Sequence, residues 1–209
     1  MTKPDMLTTI SAADALLETL TDPRHRRIIA NYRRHAIFEV CGEWEGIFTP
    51  DMTVERPVYY FQIQGANGVK LEGDEVKQFY RGTAEAARAV ILVEDEQLMV
   101  ADWGFTSDSI MKTYQRGEDL AALGLEVDDP RGFYVLKQRL AMIWHYDEWG
   151  RLEGEHVFEN MLFQDVIKIP EEAFVTVADA RARLMPELRP LPAYEPADPT
   201  PAGAAAFSG

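Results

Sequence analysis

The sequence predicts an α+β protein in which helices come first and an antiparallel sheet follows. Apolar residues recur at helical spacing up to Cys41, whereas most segments after residue 88 are rich in β-branched and aromatic residues. One further helical segment, residues 73–87, lies between strand-like segments. Helices followed by strands that enclose a single helix are typical of the α+β class.

The N-terminal elements are predicted from spacing and capping residues. Residues 11–20 form a short amphipathic helix. The next helix begins at Asp22-Pro23, since Asp is a common N-cap and Pro fits the first helical position, and it runs to about Cys41. Its apolar stripe consists of Ile28, Ile29, Tyr32, Ala36, Ile37 and Val40. Residues 43–48 add a helical turn, MTVERPVYYFQI is a strand, and QGANG is a loop.

The later elements are mostly strands. The helix over residues 73–87 has Val76, Phe79, Tyr80, Thr83 and Ala87 on one side. AVILVEDEQLMVADWGF is a strand pair or one long bent strand, which SIMKTYQRG continues. EDLAALGLEVDDPRG is a long connection with one helical turn, and FYVLKQRLAMIWHYDEWGRLEGEHVFEN is a hairpin that turns near Glu148-Trp149-Gly150. A short helix over about 177–185 ends the series.

Three parts are expected along the chain: a helical extension (1–21), a single α+β domain (22–185) and a C-terminal arm (186–209). The arm holds six of the twelve prolines, which disfavour a helix interior or a central strand. It is therefore expected to be extended, either free or lying across a neighbouring subunit, with Tyr194 and Phe207 as anchors.

Composition narrows the class of protein. The 209 residues include 21 Lys and Arg against 35 Asp and Glu, a net charge of −14 that argues against non-specific binding of nucleic acid or of an anionic membrane. One cysteine, Cys41, excludes an intramolecular disulfide and a Cys-rich metal site and favours a reducing compartment. The sequence lacks a signal-peptide core and a bilayer-spanning apolar run, so a cytoplasmic protein is expected.

Motifs for cofactors and metals are missing from the sequence. It has no GxGxxG after a strand, no GxxxxGK[ST] and no GxSxG. His25, His35, His145 and His156 show no metal-binding spacing such as HExxH. We therefore expect no cofactor and no metal, with Cys41 as an inert core thiol and with His25 and His35 at the surface or in an interface.

Three segments follow the N-terminal helices in a characteristic order: IFTPDMTVERP, LEGDEVKQFYRG and WHYDEWGRLEGEHVFEN. Over about residues 22–165 this series resembles the nuclear transport factor 2-like superfamily, which includes ketosteroid isomerase, polyketide cyclases and scytalone dehydratase. The resemblance implies a cone-shaped curved antiparallel sheet wrapped by helices, with a pocket at the open end. It also implies a homo-oligomer, a dimer or trimer, formed through the outer sheet face. Fold alone does not fix the chemistry.

The resemblance can be extended to single positions. Tyr32 matches the spacing of the oxyanion-hole tyrosine of the steroid isomerases. Arg56 of TVERP stands where those enzymes carry their base aspartate, and Met142 aligns with their protonated aspartate. Since a guanidinium cannot act as a base, steroid isomerisation is not expected.

A narrower resemblance rests on VADWGF, YQRGEDLAALGLEVDDP and WHYDEWGRLEGEHV. These segments resemble a sphingomonad branch that acts on lignin-derived aromatics, the diarylpropane γ-formaldehyde lyases. Such enzymes convert 1,2-diarylpropane-1,3-diols to hydroxystilbenes and formaldehyde without a cofactor. The implied partner is a small aromatic substrate. In this chemistry a para-hydroxyaryl carbinol forms a quinone methide, whose ring accepts the electrons released with formaldehyde. The protein must supply a cation or hydrogen-bond donor for the phenolate, a general acid for the departing hydroxyl and a base for the γ-hydroxyl proton.

Candidate residues follow from the predicted strands. Arg56 could stabilise the phenolate, or form a salt bridge with a neighbouring carboxylate. Tyr59 and Tyr60 must face opposite sides of their strand, and Tyr59 is the preferred pocket residue, although a bulge would exchange them. Tyr32 follows the inward stripe, as a pocket residue or as ordinary core.

Further candidates lie on the later strands. His145 can transfer protons near neutral pH, although alternation from Met142 places it outside the cone. Either Asp102 faces the pocket as a base or Trp103 faces it as an aromatic platform. EVDDP is a solvated loop or a lid over the pocket.

Three functions remain open from the sequence. The first is the cofactor-independent lyase, with Arg56, Tyr59, His145 and Asp102 as catalytic residues and Tyr32 and Trp103 as binding residues. The second is a dehydratase or cyclase on another aromatic hydroxy compound. The third is a non-catalytic binding module, against which stand the polar residues predicted on the cone strands, Lys112 among them.

Overall fold

The computed structural model describes residues 2–196 of the chain. This part contains five α-helices: α1 (Thr8–Thr19), α2 (Pro23–Val40), α3 (Asp74–Glu85), α4 (Gly117–Ala122) and α5 (Val177–Leu184). It also contains seven strands: β1 (Thr53–Ile63), β2 (Ala66–Glu72), β3 (Ile91–Ala101), β4 (Gly104–Arg116), β5 (Phe133–Tyr146), β6 (Leu152–Glu159) and β7 (Asp165–Ile169). Short 3₁₀ turns lie at Trp44–Phe48, Glu171–Ala173 and Met185–Glu187. No helix in the described part is long and apolar enough to cross a bilayer.

The strands form one curved, open sheet in the order β2-β1-β6-β5-β4-β3. The long strand β5 pairs with β7 through its first half and with β6 through its second half. The predicted α+β class with a curved sheet is confirmed. The sheet is not wholly antiparallel, however, because β1 and β6 pair in parallel.

Helix α2 begins as the sequence predicts. The Asp22 side chain accepts a hydrogen bond from the backbone N–H of His25, and Pro23 occupies the first turn. Tyr32 of α2 packs against Phe105 and Trp144 of the sheet, with ring centroids 4.6 and 5.3 Å away. Helix α3 covers a neighbouring part of the same sheet face, where the ring of Tyr80 packs against that of Tyr59.

For the segment AVILVEDEQLMVADWGF the structure agrees with the first predicted alternative, a strand pair, in which Asp102 and Trp103 form the turn between β3 and the start of β4. Two other segments differ from the sequence prediction. The QGANG segment contains only a tight turn at Gln64-Gly65, after which β2 begins at Ala66. Strand β7 has no counterpart in the prediction.

Helix α1 and the described part of the arm both lie against α2 of the same chain. The Asp14 carboxylate pairs with the Arg33 guanidinium at 2.7 Å. The arm has neither helix nor strand from Leu188 to Pro196, and its Pro192 carbonyl accepts a hydrogen bond of 3.0 Å from Arg27 Nη1. Tyr194 lies in this part, whereas Phe207 lies outside the described residues.

Candidate functional site

A cavity of about 290 Å³ lies between the helix-covered face of the sheet and α2, α3 and α4. Its wall is mainly apolar and aromatic, and includes Phe61, Phe79, Val93, Met111, Leu140, Met142, Trp144 and Val157. A largely apolar concavity with a few polar groups is the usual form of a small-molecule site.

A chain of four polar side chains crosses one wall of this cavity; it is called the acid–base chain below. Tyr80 of α3 donates a hydrogen bond of 3.0 Å from its hydroxyl to Oε1 of Glu155 on β6. Nε2 of His35 on α2 lies 3.0 Å from the same hydroxyl. One helical turn further, Oε2 of Glu39 lies 3.5 Å from His35 Nε2. The acid–base chain thus leads from the sheet to the partly exposed Glu39.

Glu155 is the innermost member of the acid–base chain and is only 4% exposed. Burial, with the charge of Glu39 as a smaller cause, raises the pKa of the Glu155 carboxyl well above its usual value. Tyr59 faces Glu155 across the β1–β6 pair, and its buried hydroxyl has a raised pKa for the same main reason, burial. Burial therefore favours the protonated, neutral form of the Glu155 carboxyl.

A second polar pair, Tyr32 and Glu96, adjoins the cavity: Tyr32 is part of the cavity wall, whereas Glu96 is not. The Tyr32 hydroxyl donates to Glu96 Oε1 at 2.5 Å. Burial raises the pKa of the Glu96 carboxyl to about 7. The pairing of β3 with β4 shifts register between Glu94 and Gln97, and Asp95 has a φ of 50°. This bulge turns Glu96 inward, since strict alternation from Val93 would have directed Asp95 there.

Four residues of the cavity wall connect α4 to the rest of the molecule: Gln64, Arg88, Asp119 and Leu123. Arg88 forms an ion pair with Asp119 of α4. Gln64 Nε2 donates to the Leu123 carbonyl just after α4 at 2.7 Å. The Asp128 carboxylate of the EVDDP segment accepts a hydrogen bond of 2.9 Å from Nζ of Lys168 on β7. The EVDDP segment is not part of the cavity wall.

The structure does not bring the predicted catalytic residues together. The Arg56 side chain is 75% exposed and pairs with Glu72 at 2.9 Å, so its expected pocket-facing position is wrong. Asp102 lies in the β3–β4 turn, where its carboxylate meets His25 Nε2 at 2.8 Å. The mid-strand placement predicted for Asp102 and Trp103 is therefore also wrong.

Two predicted residues lie on the outer sheet face. The Trp103 and His145 ring centroids are 5.5 Å apart, and the His145 and His156 centroids 5.2 Å apart. The alternation from Met142 that placed His145 outside the cone holds in the structure. Neither Trp103 nor His145 reaches the cavity wall.

The two remaining candidates face inward. Tyr59, which is predicted in preference to Tyr60 as the inward residue, is fully buried beneath the helices, whereas Tyr60 is 41% exposed. Tyr59 adjoins Glu155 but does not line the cavity, whereas Tyr32 does. Lys112 pairs with Glu94 at 2.6 Å and also lies outside the wall.

The acid–base chain was missed by sequence reasoning. His35 was expected at a surface or interface but is 1% exposed. Glu155 had a usable signal: it lies in a predicted hairpin strand two residues before the buried Val157, so period-2 alternation puts its carboxyl inside. Tyr80 was predicted only as part of the apolar side of its helix. Among the described residues, no group of three His, Cys, Asp or Glu is arranged to hold a metal ion.

Comparisons with known proteins give fold likenesses at low identity. No family model matches the chain, and no curated protein matches it. It is similar to the solved structure of an NTF2-like protein from Anabaena variabilis, with 13% identity, 68% of this chain and 93% of that chain covered, and a TM-score of 0.49. A Mycobacterium tuberculosis protein in complex with estradiol-17β-hemisuccinate shows 10% identity, coverage of 66% and 98%, and a TM-score of 0.45. A phenazine biosynthesis-related protein from Pseudomonas aeruginosa shows 13% identity, coverage of 90% and 97%, and a TM-score of 0.41.

Proposed function

We propose that the cavity binds a small aromatic alcohol and that the acid–base chain moves protons to and from it. The observation that carries this proposal is the series on the wall of a largely apolar cavity in which hydrogen bonds join Glu155, Tyr80 and His35 and the Glu39 carboxylate lies 3.5 Å from His35. Buried carboxyl and imidazole groups in such a setting are the usual agents of general acid–base catalysis. The aromatic wall supplies stacking surfaces for the rings of the ligand.

We further propose the reaction that the sequence resemblance suggests, the conversion of a phenolic 1,2-diarylpropane-1,3-diol to a hydroxystilbene, water and formaldehyde. The α-hydroxyl leaves as water after it takes up a proton, and the phenol loses its proton, which gives a quinone methide. The γ-hydroxyl then loses its proton, the Cβ–Cγ bond breaks, and its electron pair forms the Cα=Cβ bond. The ring takes up the displaced pair and a proton and becomes a phenol again.

The acid–base chain offers groups for the proton transfers at the α-hydroxyl and the γ-hydroxyl, while the proton that the phenol gives up and later takes back is exchanged with solvent. Glu155, whose carboxyl pKa is raised by burial, is the acid for the departing α-hydroxyl. His35 is the base for the γ-hydroxyl, and Glu39 stabilises the imidazolium that forms. Tyr80 connects the acid to the base, so a proton taken up by His35 can return to Glu155 through the Tyr80 hydroxyl.

The test is an assay of purified protein, treated with a chelator and given no cofactor, on an erythro-1,2-diarylpropane-1,3-diol with a free para-hydroxyl. Stilbene absorbance and formaldehyde are measured together, and equal amounts of both are expected. Glu155→Gln and His35→Gln should each lower kcat by roughly 10²-fold or more. His25→Gln is the matched control, because His25 is on the same helix but contacts Asp102 outside the cavity.

Other outcomes would assign a different function. A dehydrated product without formaldehyde would replace the lyase by a dehydratase. Binding of this diol without turnover would replace the lyase by a binding module. An unchanged rate in both Glu155→Gln and His35→Gln would remove the proposed roles of these two residues.

We also propose that the protein assembles as a homo-oligomer, a dimer or trimer, through the outer sheet face. In support, the helices leave on that face a row of aromatic side chains that includes Tyr60, which is 41% exposed, and Phe158, which is 43% exposed. The ring of His156 lies 4.6 Å from that of Tyr60 within this row.

A further inference from the structure

Tyr32 presents an unusual hydrogen-bonding surface to the cavity. Its side chain is only 4% exposed and forms part of the cavity wall. Its hydroxyl hydrogen is donated to Glu96 Oε1 at 2.5 Å. Because a tyrosine hydroxyl has one hydrogen, a Tyr32 bonded in this way can only accept a hydrogen bond from a ligand.

Glu96 has no cation to hold its charge. Among residues 2–196, no Lys, Arg or His forms an ion pair with it, and its second oxygen, Oε2, is shielded from solvent without a hydrogen-bond partner. Burial without a cation favours the neutral carboxyl, and the pKa of Glu96 is accordingly raised to about 7. Both protonation states are therefore accessible near neutral pH.

The protonation state of Glu96 determines whether the Tyr32 hydroxyl accepts or donates a hydrogen bond in the cavity. An ionised Glu96 accepts the Tyr32 hydrogen, which leaves the tyrosine oxygen as an acceptor in the cavity. A protonated Glu96 can donate its own hydrogen to the Tyr32 oxygen, which frees the tyrosine O–H to donate into the cavity.

We propose that Glu96 sets the hydrogen-bonding polarity of Tyr32 and thereby selects the ligand: a hydroxyl donor such as a phenol in one state, an oxygen acceptor in the other. The inference rests on the proposed function only in taking an aromatic hydroxy compound as the ligand. It applies to recognition and needs no turnover.

The surroundings of Tyr32 supply the complementary group. Trp144 lines the cavity 5.3 Å from the Tyr32 ring, and its buried indole Nε1 has no hydrogen-bond partner within the described chain. An indole N–H can only donate. A phenolic hydroxyl can donate a hydrogen bond to the Tyr32 oxygen and at the same time accept one from the Trp144 indole N–H. A methyl ether has no hydrogen to donate, so it can only accept the hydrogen bond from Trp144.

Other titratable groups are packed near this pair. Burial is the main cause that raises the pKa of the Tyr32 hydroxyl, followed by the charge of Glu96, with smaller effects from Tyr146 of β5 and Glu39 of α2. Three carboxyls on adjoining elements are held in ion pairs: Asp14 of α1 with Arg33 and Arg189, Glu94 of β3 with Lys112 of β4, and Asp108 of β4 with Arg139 of β5. Asp95 of β3 and Glu18 of α1 are exposed to solvent, so Glu96 is the buried carboxyl without an ion pair beside Tyr32 in the described part.

The test compares the binding of 4-propylphenol and 4-propylanisole, which differ in one hydroxyl hydrogen, by calorimetric titration across pH. At about pH 8.5 the phenol should bind about tenfold more tightly, since a buried, charge-assisted hydrogen bond is gained. At about pH 5.5 the preference should shrink to about threefold or less, because both oxygens accept from Tyr32.

Two variants and a control isolate Glu96. Glu96→Gln should abolish the pH dependence of the preference, since an amide does not titrate in this range. Tyr32→Phe should abolish the preference itself. Glu94→Gln removes a carboxylate two residues away that faces Lys112, and it should behave as the wild type.

Three results would each overturn the inference: the preference for the phenol over the anisole does not change with pH, or it still changes with pH in Glu96→Gln, or neither probe binds. A pH-dependent preference together with no turnover of the diarylpropanediol would leave the inference standing and remove the lyase.

Discussion

The Tyr80 hydroxyl is the only atom through which His35 and Glu155 are connected in the described acid–base chain. Tyr80→Phe keeps the ring packing against Tyr59 and Phe48 but removes that link. If the protein carries out the proposed lyase reaction, kcat for the diarylpropanediol should fall roughly 10²-fold with little change in KM, because binding surface is kept while proton transfer is lost. Steady-state kinetics measures the two constants separately, and a rise in KM alone would mean that Tyr80 only binds substrate.

At single residues, the sequence predicts burial correctly where one periodicity, helical or strand-like, determines which way the side chain faces. Tyr32 follows the apolar stripe of its helix and Tyr59 the alternation of its strand, and both are inside. The predicted surface position of His35 is wrong because α2 is covered on more than one side. The sheet, α1 and the C-terminal arm together bury even the polar residues Asn31 and Arg33 of this helix. Burial of a polar helical position by later parts of the chain leaves no local signal.

At the scale of elements, a single extra residue determines which carboxyl enters the molecule. The bulge at Asp95 changes the phase of β3, so that Glu96, Leu98 and Val100 face inward after Val93. The sequence around residues 94–96 is three acidic residues in a row, which gives no indication of where a bulge lies. Hairpins such as β5–β6 were predictable because their turn residues are local, whereas the placement of β7 and the β1–β6 pairing depend on distant contacts.

The close approach of β1 and β6 gives a prediction for Gly154. A Cβ at this position would lie 1.9 Å from the Val58 carbonyl oxygen, so β1 would have to move away from β6. We expect Gly154→Ala to lower the free energy of unfolding by about 2 kcal/mol or more. Gly82 of α3 is the matched control: a Cβ there meets nothing within 4 Å, and Gly82→Ala should be neutral or stabilising by up to about 1 kcal/mol. Urea denaturation compares the two, and equal stabilities would contradict the β1–β6 geometry.

At the scale of the whole molecule, buried carboxyls make stability depend on pH. Glu96 has a pKa of about 7 in the folded chain against 4.5 for the ordinary group. The stability that comes from the neutral carboxyl is therefore complete below about pH 4.5 and is lost as the pH rises to 7. Glu155, whose pKa is also raised, acts in the same direction.

We expect the free energy of unfolding to decrease by about 3 kcal/mol from Glu96 alone between these limits. Urea denaturation at several pH values measures this, and Glu96→Gln should show a smaller slope. The same slope in both proteins would show that Glu96 ionises normally.

The outer sheet face gives the last prediction. If copies of the chain meet through it, Phe158→Glu should place a charge in the contact and yield monomers, whereas Phe79→Glu, at a 37% exposed position on α3 outside that face, should not change the state of assembly. Sedimentation velocity distinguishes these results, and a wild type that is already monomeric would refute the proposed assembly.

The parallel pairing of β1 with β6 has a consequence for how the chain folds. Strands β3 and β4, like strands β5 and β6, form hairpins that close short loops, and β4 and β5 are antiparallel neighbours joined by residues 117–132. Val58 must instead find Gly154, nearly a hundred residues later, so this pairing costs more loop entropy and is expected to form late. Tyr59 and Glu155 adjoin across that same pair. A ribosome-bound chain that still lacks β6 therefore has no Glu155, and the acid–base chain is completed in one of the last events of folding.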